Sequence, residues 1–100
     1  MASLDISIPH QLSQEEALSR IKGLIDKLKQ EQKDKVTNVK EDWRGNAGSF
    51  QFTAQGFDFS GEINVRNGSV DIDAKIPLAV SLFKGKIKEL IEQKAKELLS

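Results

Sequence analysis

The middle of the chain alternates apolar and polar residues and predicts a β-meander. Asn67-Gly68 is a preferred two-residue hairpin turn, because both residues tolerate a positive φ. Strands on either side of this turn would pair residues that are all apolar or small and that all lie on one face: Val65 with Val70, Ile63 with Ile72, Gly61 with Ala74, and Phe59 with Ile76. The turn and the residue pattern therefore predict the same register.

Two further turns extend this meander towards the N-terminus. A weaker turn at Gln55-Gly56 would place Phe52 opposite Phe59, again on the apolar face. A loop over residues 45–48 would bring Trp43 opposite Phe50. The alternate positions of all four strands are polar, so the sheet is predicted to be antiparallel, with one face in solvent and the other face covered.

A first strand and two helices flank the meander. Residues 4–8 alternate as a short strand that Pro9 ends. Ser13 and Glu16 form a capping box for an amphipathic helix predicted over residues 14–33. A second amphipathic helix is predicted from about Leu82 to the C-terminus with Ser81 as its N-cap, although residues 72–82 also alternate as one long strand would.

The predicted order of elements is β-α-β-β-β-β-α. It describes one α+β domain over residues 1–100, with a five-stranded antiparallel sheet and two helices on one face. The first strand is expected beside the last strand, which gives the strand order 2-3-4-5-1. A parallel crossover onto the second strand would place the first helix similarly, so that alternative stays open at this point.

Composition narrows the functional classes. Lys+Arg and Asp+Glu are equal at 15 each, so the net charge gives no indication of a nucleic-acid partner. The absence of cysteine excludes disulfides, thiolate metal sites and a cysteine nucleophile. The longest nearly apolar run, residues 76–83, is far shorter than the ~20 residues of a membrane span. No transmembrane segment and a cytoplasmic location are therefore expected.

Two titratable residues are candidates for chemistry. His10 is the only histidine, although a hydrogen bond from its ring to the surrounding loop is favoured over acid–base catalysis. Glu41 is placed on the apolar side of the second strand opposite Phe52, where its pKa could be raised, or where it could reach water at the sheet edge. The sequence has no phosphate loop, catalytic triad or metal-ligand spacing, so no enzymatic activity, cofactor or metal ion is predicted.

Binding residues are the remaining candidates. Residues of the apolar sheet face and the second helix could line a pocket for an apolar small molecule, although an ordinary core is favoured; the residues are Trp43, Phe50, Phe52, Phe59, Gly61, Ala74 and Phe83. The second helix opens with Lys84, Lys86 and Lys88, where they oppose the helix macrodipole. These lysines are predicted either to be solvated or to meet an anionic surface or an acidic partner.

Two segments and two isolated residues also follow a family pattern. They are Ile6-x-Ile8-x-His10-x-Leu12-Ser13-x-Glu15-Glu16-Ala17, then Trp43, then Gly61, and then Phe83-Lys84-Gly85-x-Ile87-x-x-x-Ile91. Through these residues the chain resembles the polyhydroxyalkanoic acid system protein family, a family of short bacterial proteins. The residues are spread over nearly the whole length of the chain. The resemblance implies an association with polyester storage granules or their protein partners, and it carries over no enzymatic activity and no site residue.

The predicted order of elements also resembles a reduced helix-grip fold, the architecture of apolar-ligand carriers. The family resemblance, the lysines that open the second helix and the lack of a catalytic signature favour a non-enzymatic accessory or binding protein; the resemblance implies that it meets a storage-granule surface or a granule-associated protein. The alternative is a small module of the helix-grip type that binds an acyl or lipid-like ligand.

Overall fold

The computed structural model describes residues 2–31 and 34–100, apart from the side chain of Leu28. Its elements follow the predicted β-α-β-β-β-β-α order, with each helical region in two parts. They are β1 (Ala2–Pro9), α1 (Gln14–Ile21), α2 (Gly23–Glu31), β2 (Val36–Arg44), β3 (Ala47–Ala54), β4 (Phe57–Val65), β5 (Ser69–Ile76), a 3₁₀ helix (Leu78–Phe83) and α3 (Lys84–Leu99).

The five strands form one antiparallel sheet in the order β1-β5-β4-β3-β2. This order confirms the predicted placement of the first strand beside the last, since β1 pairs with β5 along its whole length. The Asn67-Gly68 turn gives the predicted register between β4 and β5. That ladder ends at the pair Ser60–Lys75, one position short of the predicted pair of Phe59 with Ile76.

The predicted register between β2 and β3 is wrong by two residues. Trp43 lies opposite Gly48 instead of Phe50, because the turn is only two residues long, at Gly45-Asn46. The indole ring of Trp43 covers Gly48 so closely that a Cβ atom on Gly48 would lie 2.6 Å from the ring carbon Cδ2. The register therefore depends on a glycine whose missing side chain leaves room for a ring.

Glu41 shifts with the same register. It lies opposite Phe50 instead of Phe52. Nearer the start of β2, the pairing slips by one residue between Thr37 and Lys40, where Asn38 has a φ of 54°. This β-bulge bends the start of the edge strand.

The prediction of one continuous first helix is also wrong. The helix is interrupted at Lys22, the residue before Gly23, and glycine is a poor helix former. The capping box forms as predicted, with the Glu16 backbone N–H donating to the Ser13 hydroxyl at 3.1 Å. Residues 32 and 33 of the predicted helix, and the side chain of Leu28 in its apolar stripe, lie outside the described part of the structure.

The second helix starts later than predicted. Residues 78–83 form the 3₁₀ helix, and α3 begins at Lys84. Ser81 does not cap α3, because its hydroxyl donates to the Leu78 carbonyl at 2.8 Å. The alternative of one long strand ends at Ile76.

Across the sheet, the buried core extends to the edge strand β1 but not to the opposite edge strand β2. β1 contributes three buried side chains, whereas β2 contributes no fully buried side chain. The helices contribute Ala17, Ile21, Leu24, Ile25, Ala95 and Leu99 to this core. Two ion pairs join the helices: Lys27 Nζ lies 2.6 Å from Glu97 Oε2, and Lys94 Nζ lies 2.8 Å from Glu31 Oε2. The thinner packing over β2 and β3 leaves space for the pocket described below.

Candidate functional site: an apolar pocket and an exposed ridge

An open pocket of about 220 Å³ lies between α2, α3 and the sheet. The helices contribute Leu24, Ile25, Ile87, Leu90 and Ile91 to its wall. The sheet contributes mainly Val36, Val39, Phe50, Phe52, Phe59 and Ala74. Most of this lining is hydrocarbon, which is the composition expected of a site for an apolar molecule.

Three stacked phenylalanine rings form the floor of the pocket. The ring centroids of Phe50 and Phe52 are 6.2 Å apart, and those of Phe52 and Phe59 are 5.2 Å apart, with interplanar angles of 14° and 15°. Phe50 and Phe52 alternate onto the same face of β3, and Phe52 pairs directly with Phe59 of β4. The strand periodicity and the register therefore bring the three rings together.

Four of the seven predicted ligand residues line this pocket: Phe50, Phe52, Phe59 and Ala74. Gly61 does not, because the space above it is filled by Phe50; a Cβ on Gly61 would lie 2.6 Å from Phe50 Cζ. Trp43 and Phe83 also lie outside the pocket lining. Trp43 is on β2 and its ring covers Gly48 of β3, whereas Phe83 projects into solvent with 58% of its surface exposed. Ligand binding by the four lining residues stays a prediction.

Several lining residues were not singled out from the sequence. The apolar stripes of the predicted helices contain four of them: Leu24, Ile25, Ile87 and Ile91. An apolar stripe alone does not show which of its residues pack on the sheet and which line a pocket. Val36 and Val39 flank the β-bulge at Asn38, for which the sequence gives no signal.

The charged residues among the lining are both cations, Lys35 and Lys75, and the described lining contains no carboxylate. Lys75 lies between the buried residues Ala74 and Ile76 on β5, so strand alternation directs its side chain to the polar face. Lys35 lies in the turn before β2, next to the pairing of Val36 with Ala54. Lys35 and Gln55 line the pocket and are both exposed, so they border it where it opens to solvent.

An apolar ridge is formed by Leu78, Leu82, Phe83 and Leu90, whose exposed fractions are 69%, 92%, 58% and 46%. Three of these residues belong to the 3₁₀ helix, and Leu90 lies on α3. Phe83, Lys86 and Leu90 follow spacings of three and four, so they lie along one flank of the helical segment. Leu90 also borders the pocket, which makes the ridge and the pocket adjacent.

The three predicted lysines lie in the same segment as this ridge and are all exposed. Lys88 Nζ lies 4.0 Å from Glu92 Oε1 in the next turn. Within the described ranges, Lys84 and Lys86 have no carboxylate oxygen within 4.0 Å of their ammonium groups. The segment thus combines exposed hydrocarbon with positive charge, which is the composition of a helix that lies at an interface.

His10 uses both ring nitrogens to hold a loop. Nδ1 accepts from the Leu12 backbone N–H at 3.1 Å, and Nε2 lies 3.1 Å from the Arg66 carbonyl oxygen. Because Nδ1 is an acceptor, Nε2 carries the proton and donates to that carbonyl. The ring therefore connects the segment after β1 to the turn between β4 and β5, as the loop interpretation predicts.

Glu41 lies near a second cluster, formed by Trp43 and the junction of α1 with α2. Burial, followed by the charge of Asp26, raises the pKa of the Glu41 carboxyl, while the nearby ammonium of Lys22 opposes the rise. Lys22 Nζ lies 5.7 Å from the centroid of the Trp43 ring, within the range of a cation–π contact. The indole Nε1 is buried and has no hydrogen-bond partner within the described residues.

The described residues contain no group of three or more His, Cys, Asp or Glu side chains that could hold a metal ion. Within the same residues, no helix has the length and the apolar composition needed to cross a membrane. The pocket and the ridge are therefore the features from which a function can be argued.

A family model described as "Putative polyhydroxyalkanoic acid system protein" matches residues 4–99. The chain belongs to this family. The match confirms the family resemblance and covers nearly the whole chain. No curated protein matches the chain, and no solved structure matches it. The family is named for a polyester system, but the family match identifies no site residue. The likeness of the chain to the helix-grip fold stays a prediction.

Proposed function

We propose that this member of the polyhydroxyalkanoic acid system family is a non-enzymatic accessory protein that binds the surface of polyester storage granules through its apolar ridge. The observation that carries the proposal is the clustering of four large exposed apolar side chains between residues 78 and 90. Exposed hydrocarbon in one contiguous segment marks a surface that a protein or an apolar phase covers.

The chemistry of the polymer favours the apolar phase. A polyhydroxyalkanoic acid is a polyester of aliphatic units, so its surface offers hydrocarbon to leucine and phenylalanine side chains and carboxylates at its chain ends. Leu82 and Phe83 would contact the hydrocarbon, and Lys84 and Lys86 would meet the carboxylates. The shape of the segment fits this arrangement, since the 3₁₀ helix projects Leu82 almost wholly into solvent.

The strength of this contact can be worked from the exposed side chains. Full burial of one leucine or phenylalanine side chain contributes ~1.5–3 kcal/mol. Leu82 and Phe83 together would contribute roughly 2–4 kcal/mol if the surface covers most of their exposed area, and each 1.4 kcal/mol is about tenfold in affinity. Removing both side chains is thus expected to lower the partition coefficient roughly 30- to 700-fold.

The test is co-sedimentation of the purified chain with protein-free polyester particles. The double variant Leu82→Ser/Phe83→Ser is expected to stay in the supernatant while the wild-type chain sediments. The matched control is Lys29→Ser/Gln30→Ser, which removes two exposed side chains of α2 and should sediment like the wild type. Equal sedimentation of the ridge variant and the wild type would refute granule binding through the ridge. Binding only to granules that keep their native protein coat would assign the ridge to a protein partner instead.

A further inference from the structure

We propose that the pocket between α2, α3 and the sheet binds one aliphatic carboxylate, with the hydrocarbon chain on the phenylalanine floor and the carboxylate at Lys35. The proposal goes beyond granule binding, because it concerns a soluble small molecule and a different set of side chains. Leu90 is the residue that the ridge and the pocket share.

The pocket is an open space much larger than a water molecule. Protein interiors contain few voids larger than a water molecule. This space measures about 220 Å³, and residues from α2, α3 and all of the strands β2 to β5 border it. The ion pairs of Lys27 with Glu97 and of Lys94 with Glu31 hold α2 and α3 to each other rather than to β2. These two ion pairs therefore join α2 and α3 to each other above the sheet.

The volume sets the size of the chain. An apolar cavity of ~150 Å³ holds the six carbons of benzene. By proportion, the pocket of about 220 Å³ accommodates about nine carbons. Phe52 and Phe59 are half-buried and offer their ring surfaces to such a chain, and Leu24 and Ile87 cover it from the helices. A medium-length aliphatic chain fits this space, whereas a long-chain lipid would leave part of its chain in solvent.

The charges set the head group. Of the two lysines in the described lining, Lys75 directs its side chain to the polar face, so Lys35 is the cation available to a ligand, and this lining holds no carboxylate that would repel an anion. Lys35 lies at the mouth, and the pairing of Val36 with Ala54 brings Gln55 beside it. A carboxylate at this position would accept a charge-assisted hydrogen bond from Lys35 and an amide hydrogen bond from Gln55. A 3-hydroxy group on the same acid would be compatible with this polar mouth.

The experiment is an amide NMR titration of the full-length labelled chain with monomeric octanoate, and in parallel with 1-octanol. Saturable shifts are expected at Phe52, Phe59, Leu24 and Ile87 with both ligands. Lys35→Gln should weaken octanoate binding roughly tenfold and leave octanol binding unchanged, because only the charged head group loses a partner. Lys29→Gln, an exposed lysine on α2 away from the mouth, is the matched control.

A second variant fills the pocket instead of changing the charge at its mouth. Ala54→Phe places a ring in the pocket and should abolish binding of both ligands while the amide spectrum remains that of a folded chain. Absence of saturable shifts, or shifts confined to Leu82 and Phe83, would overturn the pocket proposal. The two proposals fail separately: Ala54→Phe should still sediment with polyester particles, and Leu82→Ser/Phe83→Ser should still bind octanoate.

Discussion

Gly61→Ala tests the packing on which the pocket floor rests. A methyl group at position 61 would lie 2.6 Å from Phe50 Cζ and 2.7 Å from the Asp73 backbone oxygen. The Phe50 ring can turn away, but the Asp73 carbonyl belongs to the neighbouring strand and is fixed by the sheet. The clash therefore cannot be relieved by a side-chain movement alone.

The expected magnitude follows from these distances. Inserting a methyl group into a packed site costs typically ~1–3 kcal/mol. For a domain of this size each 1 kcal/mol lowers Tm by about 4–8 °C, so Gly61→Ala should lower Tm by roughly 5–20 °C. The displaced Phe50 ring would also move towards the pocket and weaken octanoate binding.

Gly23→Ala is the matched control. Its added Cβ would meet no atom within 4 Å, and its φ is not in the positive region. Replacing such a helical glycine by alanine stabilises by ~0.4–1 kcal/mol, so its Tm should rise by a few degrees. Thermal unfolding followed by circular dichroism measures both variants. A Gly61→Ala chain that melts at or above the wild-type Tm would refute the placement of Phe50 over Gly61.

Two other predictions concern stability. The ion pair with Lys27 lowers the pKa of Glu97 below its ordinary 4.5. The ion pair therefore stabilises the folded chain above pH 4.5, and this stabilisation is lost as the pH falls through the lowered pKa of Glu97. The Tm advantage of the wild type over Glu97→Gln should shrink from about pH 6 to about pH 3, and an advantage that is constant with pH would contradict this. His10→Ala removes two loop hydrogen bonds and should cost ~1–2 kcal/mol in urea unfolding; His10→Asn, which can restore one of them, should lose less, and an equal loss would refute the loop role.

Local signals predicted most of the fold. Asn67-Gly68 fixed the β4–β5 register because a two-residue turn leaves little freedom, and Ser13 with Glu16 marked the helix start because capping depends on neighbouring residues alone. The predicted β2–β3 register is wrong because the loop expected over residues 45–48 is a two-residue turn at Gly45-Asn46, which places the Trp43 ring over Gly48. A hydrophobic pattern cannot show that a glycine is covered by a ring.

The candidate site was predicted only in part, for a similar reason. Strand alternation correctly placed Phe50, Phe52 and Phe59 on one face. It could not show that Phe83 would lie outside, since that depends on the 3₁₀ helix between Pro77 and α3. Apolar residues at helical spacing predict burial by default, and the exposure of Leu82 and Phe83 departs from that default. This departure is what makes the ridge a functional candidate.

The most direct test of granule binding is amide hydrogen exchange of the wild-type chain with and without polyester particles. The ridge account predicts that added protection is concentrated in residues 78–90, with the polar face of the sheet unchanged. Protection centred on the polar strand positions of β2 to β4, or no added protection in residues 78–90 of the bound chain, would contradict it.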